Sequence, residues 1–408
     1  TAVAPKPLSA NVQRGLGWLA EHQLQSGGWG QGDEAAGMRG SSGDALRDQP
    51  NVADTCVAAL ALIRSGSSPT AGPYKDAVAR AVRFVVTQVE GSDSQSLSVS
   101  TVQGTRVQAK LGPNIDTFLA SMLLAEVKGK MPAGEIKRVN LALDRVLEKI
   151  KRHQKDDGTF EGQGWAPILA QAMCGKGLNR ARQAGAQVSG LVLARAENSA
   201  RMGFAQSASP SSPVLGGEAS GGSAGSGAAR ARAMSRPAPA SAAGVNLYFD
   251  AANLGVLQDS VNTNRAQLPE LRDKAAHAKD IKERDEAKRE LSRIQVAEKA
   301  NTEAQVTVIA RLGDKQFTDG FGSNGGEEFL SYMNISESLV VKGGPEWKQW
   351  DDGITKNLNH VQNDDGSWSG HHCITGRTFC TSSALLVLMA DRTPVPASTR
   401  PVEHSNNE

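Results

Sequence analysis

Apolar positions recur at helical spacing along most of the chain, and few stretches alternate as a strand would. The pattern predicts helices over 11–25 and 52–65, paired as a first hairpin. A second pair covers 74–90 and 115–128, a third 135–153 and 165–175. A further helix near 178–203 opens a fourth. "NVADTCVAALALI" is apolar nearly all round, as a helix enclosed by others must be. Asp54-Thr55 caps that helix, and "NIDTFLASMLLAEV" repeats the Asp-Thr start at Asp116-Thr117. From about Ser207 to Ala243 the chain is Ala, Gly, Ser and Pro with scattered Arg, which cannot bury a core and reads as a flexible insertion. Helix returns near Tyr248. Residues 268–310 are rich in charge, with only a narrow stripe of Leu268, Leu271, Ala275 and Ala278, continued by Leu291 and Ile294. They predict a long solvated helix or helical pair. Helices over 326–341, 346–363 and 379–390 bring the total to about six hairpins. The expected organisation is all-α: a first part over 1–203, an insertion over 204–245, the remainder over 246–393 and a loose tail over 394–408.

One short pattern repeats. "QLQSGGW" at Gln23, "QKDDGTF" at Gln154 and "QNDDGSW" at Gln362 share Gln, three residues, Gly, one residue, aromatic. Glycine past a helix end takes positive φ and stops the helix. The glutamine bonds loose backbone groups of the turn, and the aromatic packs the turn against the next unit. The pattern is a structural staple, and its recurrence marks a repeat architecture.

Arg14, Gly15, Trp18, Leu19, Gln23, Gly27 and Trp29 fill every position of the QW repeat, and Arg80, Ala81, Phe84, Val85 and Gln88 fill the front half of a second copy. The chain therefore resembles the superfamily of squalene and oxidosqualene cyclases and protein prenyltransferase β subunits, over roughly residues 11–200 and 320–391. The resemblance implies an α/α toroid, an inner and an outer ring of helices. It also implies where chemistry would sit. Class II cyclases protonate an alkene with the middle acid of Asp-x-Asp-Asp-Thr, and the matching stretch here is Asn51-Val52-Ala53-Asp54-Thr55. The acid position holds alanine, and Asp116-Thr117 and Cys380-Thr381 lack it too. The prenyltransferase zinc site, an Asp-x-Cys and a His, is matched only by Asp54-Thr55-Cys56, with Cys380 in the place of the His.

Composition narrows the choice. Aromatic residues make up 4% of the 408 residues, few for a cavity that must stabilise carbocations. A net charge of +2 points to no nucleic-acid partner. No apolar run is long enough to span a membrane. The chain begins at Thr1 without Met, which suggests a trimmed, exported or periplasmic product, with cytoplasmic residence as the alternative. Four cysteines make no disulfide framework, although Cys373 and Cys380 could pair in an exported protein.

The richest stretch is "SGHHCITGRTFCT". His371, His372, Cys373 and Cys380 are all good zinc or copper ligands. The alternative is a polar loop whose imidazoles bond backbone carbonyls. Glu327 and Glu328 open a helix, where the dipole alone accounts for them. Asp54, Glu327, Glu328 and His372 are the catalytic candidates. Asp116, Tyr332, Trp368 and Arg377 are the ligand-binding ones, and Tyr332 and Asn334 are placed toward a central cavity. The expected function is a non-catalytic protein holding a hydrophobic ligand or a protein partner, with no cofactor, or else zinc. The alternative is an isoprenoid-processing enzyme with its site at the toroid mouth. A plugged cavity favours the first, an open apolar one the second.

Overall fold

The computed structural model describes residues 3–34, 45–162, 164–207, 245–321 and 324–394. The expected insertion falls almost wholly, and the expected tail almost entirely, outside these residues. Fourteen α-helices lie among them, with no strand beyond an isolated Trp29–Asn51 bridge. In chain order they are α1 (Ala10–Glu21), α2 (Val52–Arg64), α3 (Lys75–Gly91), α4 (Arg106–Leu111), α5 (Ile115–Glu126), α6 (Ile136–His153), α7 (Pro167–Gln183), α8 (Gly190–Ser207), α9 (Asn246–His277), α10 (Ile281–Arg311), α11 (Lys315–Thr318), α12 (Gly326–Lys342), α13 (Gly344–His360) and α14 (Arg377–Leu388). The fold is all-α. No described helix is long and apolar enough to cross a membrane.

Six helices carry the core. α2, α5 and α14 are buried on every face, as are most of α7 and α12 and the first half of α9. Their contacts run in order: α2 on α5, α5 on α7, α7 on α9, α9 on α12, α12 on α14, and α14 back on α2. The remaining long helices pack outside these, with α1 on α14, α3 on α2, α6 on α5, α8 on α7 and α9, α10 on α9, and α13 on α12. These outer helices bury one face, as α6 does with Val139, Leu143, Val146 and Ile150.

The repeated turn is built as its residue types require. Gly27, Gly158 and Gly366 take φ of 89°, 84° and 90°. Gln23 Nε2 donates to Gly27 O (2.7 Å) and to Ala77 O (2.8 Å) in the region of the next outer helix. Gln362 Nε2 donates to Gly366 O (2.8 Å) and to Asn11 O (2.9 Å) in α1. The last copy of the turn is thus bonded to the first helix. Trp29 and Trp368, both fully buried, each donate Nε1 to a carbonyl of the preceding helix at 2.8 Å and the backbone N to the hydroxyl of Thr55 or Thr381 at 2.9 Å.

Several expected boundaries move. α7 continues to Gln183 rather than ending near 175, because Gly175 and Gly177 are points of close approach and not breakers. A Cβ at Gly177 would stand 1.8 Å from Ser121 Oγ, and one at Gly175 2.9 Å from Val256. α8 accordingly starts later, at Gly190. The charged segment is a helical pair: α9 and α10 pack along each other and reverse between His277 and Ile281, with Ile281 65% exposed. α4 and α11 are additional short helices, too short to show periodicity.

Candidate functional site

The N-terminal ends of the core helices meet. Ala53 N of α2 donates to Asp116 Oδ1 of α5 (3.0 Å), and Tyr248 near the start of α9 donates its hydroxyl to Glu328 Oε1 of α12. The loop before α14 closes the assembly. There Gly326 N donates to Ile374 O (3.0 Å) and His371 N to Asn324 O (2.9 Å). The result is a cluster of Glu327, Glu328, Tyr248, His372 and Cys373, the first three fully buried.

Glu328 is fixed from several directions. Besides Tyr248, it accepts from Gly325 N (2.9 Å) and Phe321 N (3.2 Å), and its Oε2 lies 3.3 Å from His372 Nε2. Burial pushes the Tyr248 hydroxyl far up in pKa, and the adjacent Glu328 adds to the shift. Glu327 is different. Its Oε2 accepts from Ile374 N (3.2 Å), and the Cys373 thiol lies against its carboxylate. Burial, then the neighbouring Glu328 charge, raise its pKa to about 7.

Cys373 is the one non-glycine residue with a positive φ (57°) among the described residues. Such a conformation costs on the order of 1–3 kcal/mol and persists where the surroundings over-determine it. Here the hydrogen bonds of His371, Ile374 and Gly326 fix the loop on both sides. The thiol contacts the Glu327 carboxylate and Lys110 of α4. Burial first and Glu327 second push it up to about 11. Ligating atoms of Glu327, His372 and Cys373 lie within 4.8 Å of one another, the one such group of three among the described residues.

Aromatic rings lie beside the cluster. Trp165 and Phe321 are 41% and 49% exposed with ring centroids 5.1 Å apart. Phe321 stands 5.6 Å from the His372 ring, and Lys110 Nζ lies 5.6 Å over Trp165. Sequence reasoning missed Trp165, Phe321 and Lys110. The first two lie in loops and the third in a six-residue helix, where no periodicity signals a role.

The other sequence candidates sit elsewhere. His371 is exposed. Cys380 is fully buried and donates to Ile374 O (3.3 Å), and all four cysteines are free, so Cys373 and Cys380 are not bonded. Asp54 and Asp116 are fully buried. Asp116 is satisfied by Ala53 N and by Gln108 Nε2 (2.7 Å). Asp54 accepts from Asn51 Nδ2 (2.7 Å), but its Oδ1 has no partner. Burial raises the two to about 7 and about 6. Cys56 is buried in α2. Trp368 is the staple already described. Arg377 pairs with Asp365 at the protein surface. Tyr332 faces outward: it donates to Thr318 O (2.7 Å) and lines a groove of ≈ 510 Å³ with Ile309, Leu312, Trp350 and Ile354. Asn334 does point inward, against Gly255.

The C-terminal halves of the core helices hold charges of their own. Glu337 of α12 accepts from Arg64 of α2 (2.8 Å), from Arg180 of α7 (2.7 Å) and from Lys176 of α7 (2.9 Å). Lys176 also pairs with Asp259 of α9 (3.1 Å). Neither α2 nor α7 adjoins α12 in the order of core contacts, so these bonds run across the middle of the six helices. No family model matches the chain, and no curated protein matches it.

Proposed function

We propose that the protein is an α/α toroid of six hairpins, of the cyclase and prenyltransferase type, that binds a hydrophobic ligand at one mouth without transforming it. Supporting the toroid are the contact order that returns from α14 to α2 and the bonds from Gln362 to α1. Supporting a binding role over a cyclase role is the buried ion cluster of Arg64, Lys176, Arg180, Asp259 and Glu337, which joins α2, α7, α9 and α12 through charges where a cyclase chamber needs apolar walls. The alanine at position 53 agrees with this.

The observation that carries the reading is the exposed Trp165–Phe321 pair. Large rings are left in water beside a buried polar cluster, an arrangement that suits an apolar molecule with a polar end. The test is a titration of the full chain with farnesol, followed by tryptophan fluorescence. The reading predicts saturable binding that weakens at least about tenfold in a Trp165→Ala/Phe321→Ala variant, about 1.4 kcal/mol. Absence of saturation, or equal affinity in the variant, overturns it. The Glu327, His372 and Cys373 group favours a second reading, a metal-dependent isoprenoid-processing enzyme with its site at the same mouth. Zn2+-dependent release of diphosphate from farnesyl diphosphate would support that instead.

A further inference from the structure

We propose that Glu327, His372 and Cys373 form a three-ligand site for zinc or a similar borderline divalent cation, with the fourth coordination position left to water or a ligand. The donor set is one carboxylate oxygen, one imidazole nitrogen and one sulfur. Thiolate and imidazole select zinc-like ions over magnesium or calcium, and three protein ligands with one open position is the pattern of a reactive or ligand-exchanging zinc.

Three observations besides proximity point to a cation. Glu327 is fully buried, with Ile374 N on its Oε2 and the Cys373 thiol against its carboxylate, so two of the three donors already face each other. Cys373 is held at φ 57° in a loop fixed by neighbouring hydrogen bonds, which aims its thiol at Glu327. Glu328 lies 3.3 Å from His372 Nε2 and is itself anchored by Tyr248, Gly325 and Phe321. A carboxylate beside the imidazole of a metal-bound histidine is its usual outer support. On binding, an S–metal bond forms and the thiol proton leaves to solvent. A dication with the Glu327 carboxylate and the Cys373 thiolate is neutral, and Lys110, which lies beside the Cys373 thiol, is displaced from it when the metal binds. The set differs from the one the sequence suggests: His371 is exposed, and Cys380 bonds Ile374 O instead.

The site does not depend on the farnesol reading, and its test is separate. The full chain is stripped of metal with a chelator and titrated with Co2+, a spectroscopic substitute for Zn2+. The proposal predicts about one Co2+ per chain, with a thiolate-to-cobalt charge-transfer band that excess Zn2+ removes. The band disappears in Cys373→Gly and weakens at least about tenfold in affinity in His372→Ala or Glu327→Gln. It persists in Cys380→Ser and His371→Ala. Cys373→Gly is chosen because glycine takes positive φ without strain, and a native circular-dichroism melt shows that this variant folds. No band in the wild type, a band that survives Cys373→Gly, or a band lost in Cys380→Ser overturns the proposal.

Discussion

The two ends of the core helices handle buried charge in opposite ways. Toward the C-terminal ends, Glu337 meets Arg64, Arg180 and Lys176, and Asp259 meets Lys176. Burial alone would raise the Glu337 pKa, but the three cations overcome it and hold the carboxyl well below its ordinary value. At the N-terminal ends no cation among the described residues pairs with Asp54 or Glu327, Asp54 Oδ1 has no hydrogen-bond partner, and burial raises both carboxyls to about 7. One end uses its charges to join helices. The other keeps carboxyls unpaired beside a strained cysteine and exposed aromatic rings. Locally unfavourable features that cluster in one place mark function, because a fold selected only for stability would remove them.

The sharpest way to break the comparison is at Glu337. Glu337→Ala leaves three buried cations facing one remaining acid. It is expected to cost about 3–5 kcal/mol, the usual penalty for orphaning a buried charge partner. Urea unfolding checks this, and a loss below about 1 kcal/mol would deny the cluster its structural role.

The pH response of the N-terminal end comes next. Asp54 and Asp116 have ordinary values of 3.8 and folded values of about 7 and about 6. Below the ordinary value both states are protonated and folding carries no penalty. Between about pH 4 and pH 7 the unfolded chain releases protons that the folded chain keeps, so stability falls as pH rises. Asp54→Asn should flatten that fall by an amount on the order of 2–4 kcal/mol, since each tenfold change in proton affinity is worth about 1.4 kcal/mol. Melts at pH 4, 5.5 and 7.5 for both proteins test this, and parallel profiles would sink it.

A smaller effect is expected at the staples. Gln362→Ala removes the bonds to Asn11 O and Gly366 O, and should cost about 1–3 kcal/mol. The exposed pair of Arg83 and Glu135 should matter least. Arg83→Ala is expected to change stability by under about 1 kcal/mol, despite its two bonds of 2.8 Å.

Much of this division was legible in the sequence. The staple chemistry is local, so Gln23, Gly27 and Trp29 could be recognised before any contact was known, and the enclosed helices announced themselves by being apolar all round. His372, Cys373 and Glu327 could be picked out as residue types. Their grouping could not, because 45 positions separate Glu327 from His372 and only the loop bonds of 370–376 bring them together. His371 and Cys380 looked equivalent to their neighbours on paper, and backbone direction alone set them apart. Trp368 and Asp116 looked functional because they are distinctive, but the staple and the α2–α5 contact account for both. The ion cluster was invisible in sequence, since the expected helices ended at 175 and resumed near 178, which left Lys176 between them and Arg180 in a separate element.

The division between the ends is tested most directly by Glu337→Gln and Glu327→Gln measured side by side. For each, the urea midpoint is taken after chelation, and the melting shift is taken on adding Zn2+. The account predicts that Glu337→Gln lowers the midpoint and keeps the Zn2+ shift of the wild type. Glu327→Gln should leave the midpoint unchanged or raised and lose the shift. A Glu327→Gln protein that unfolds as readily as Glu337→Gln while still responding to Zn2+ would contradict it.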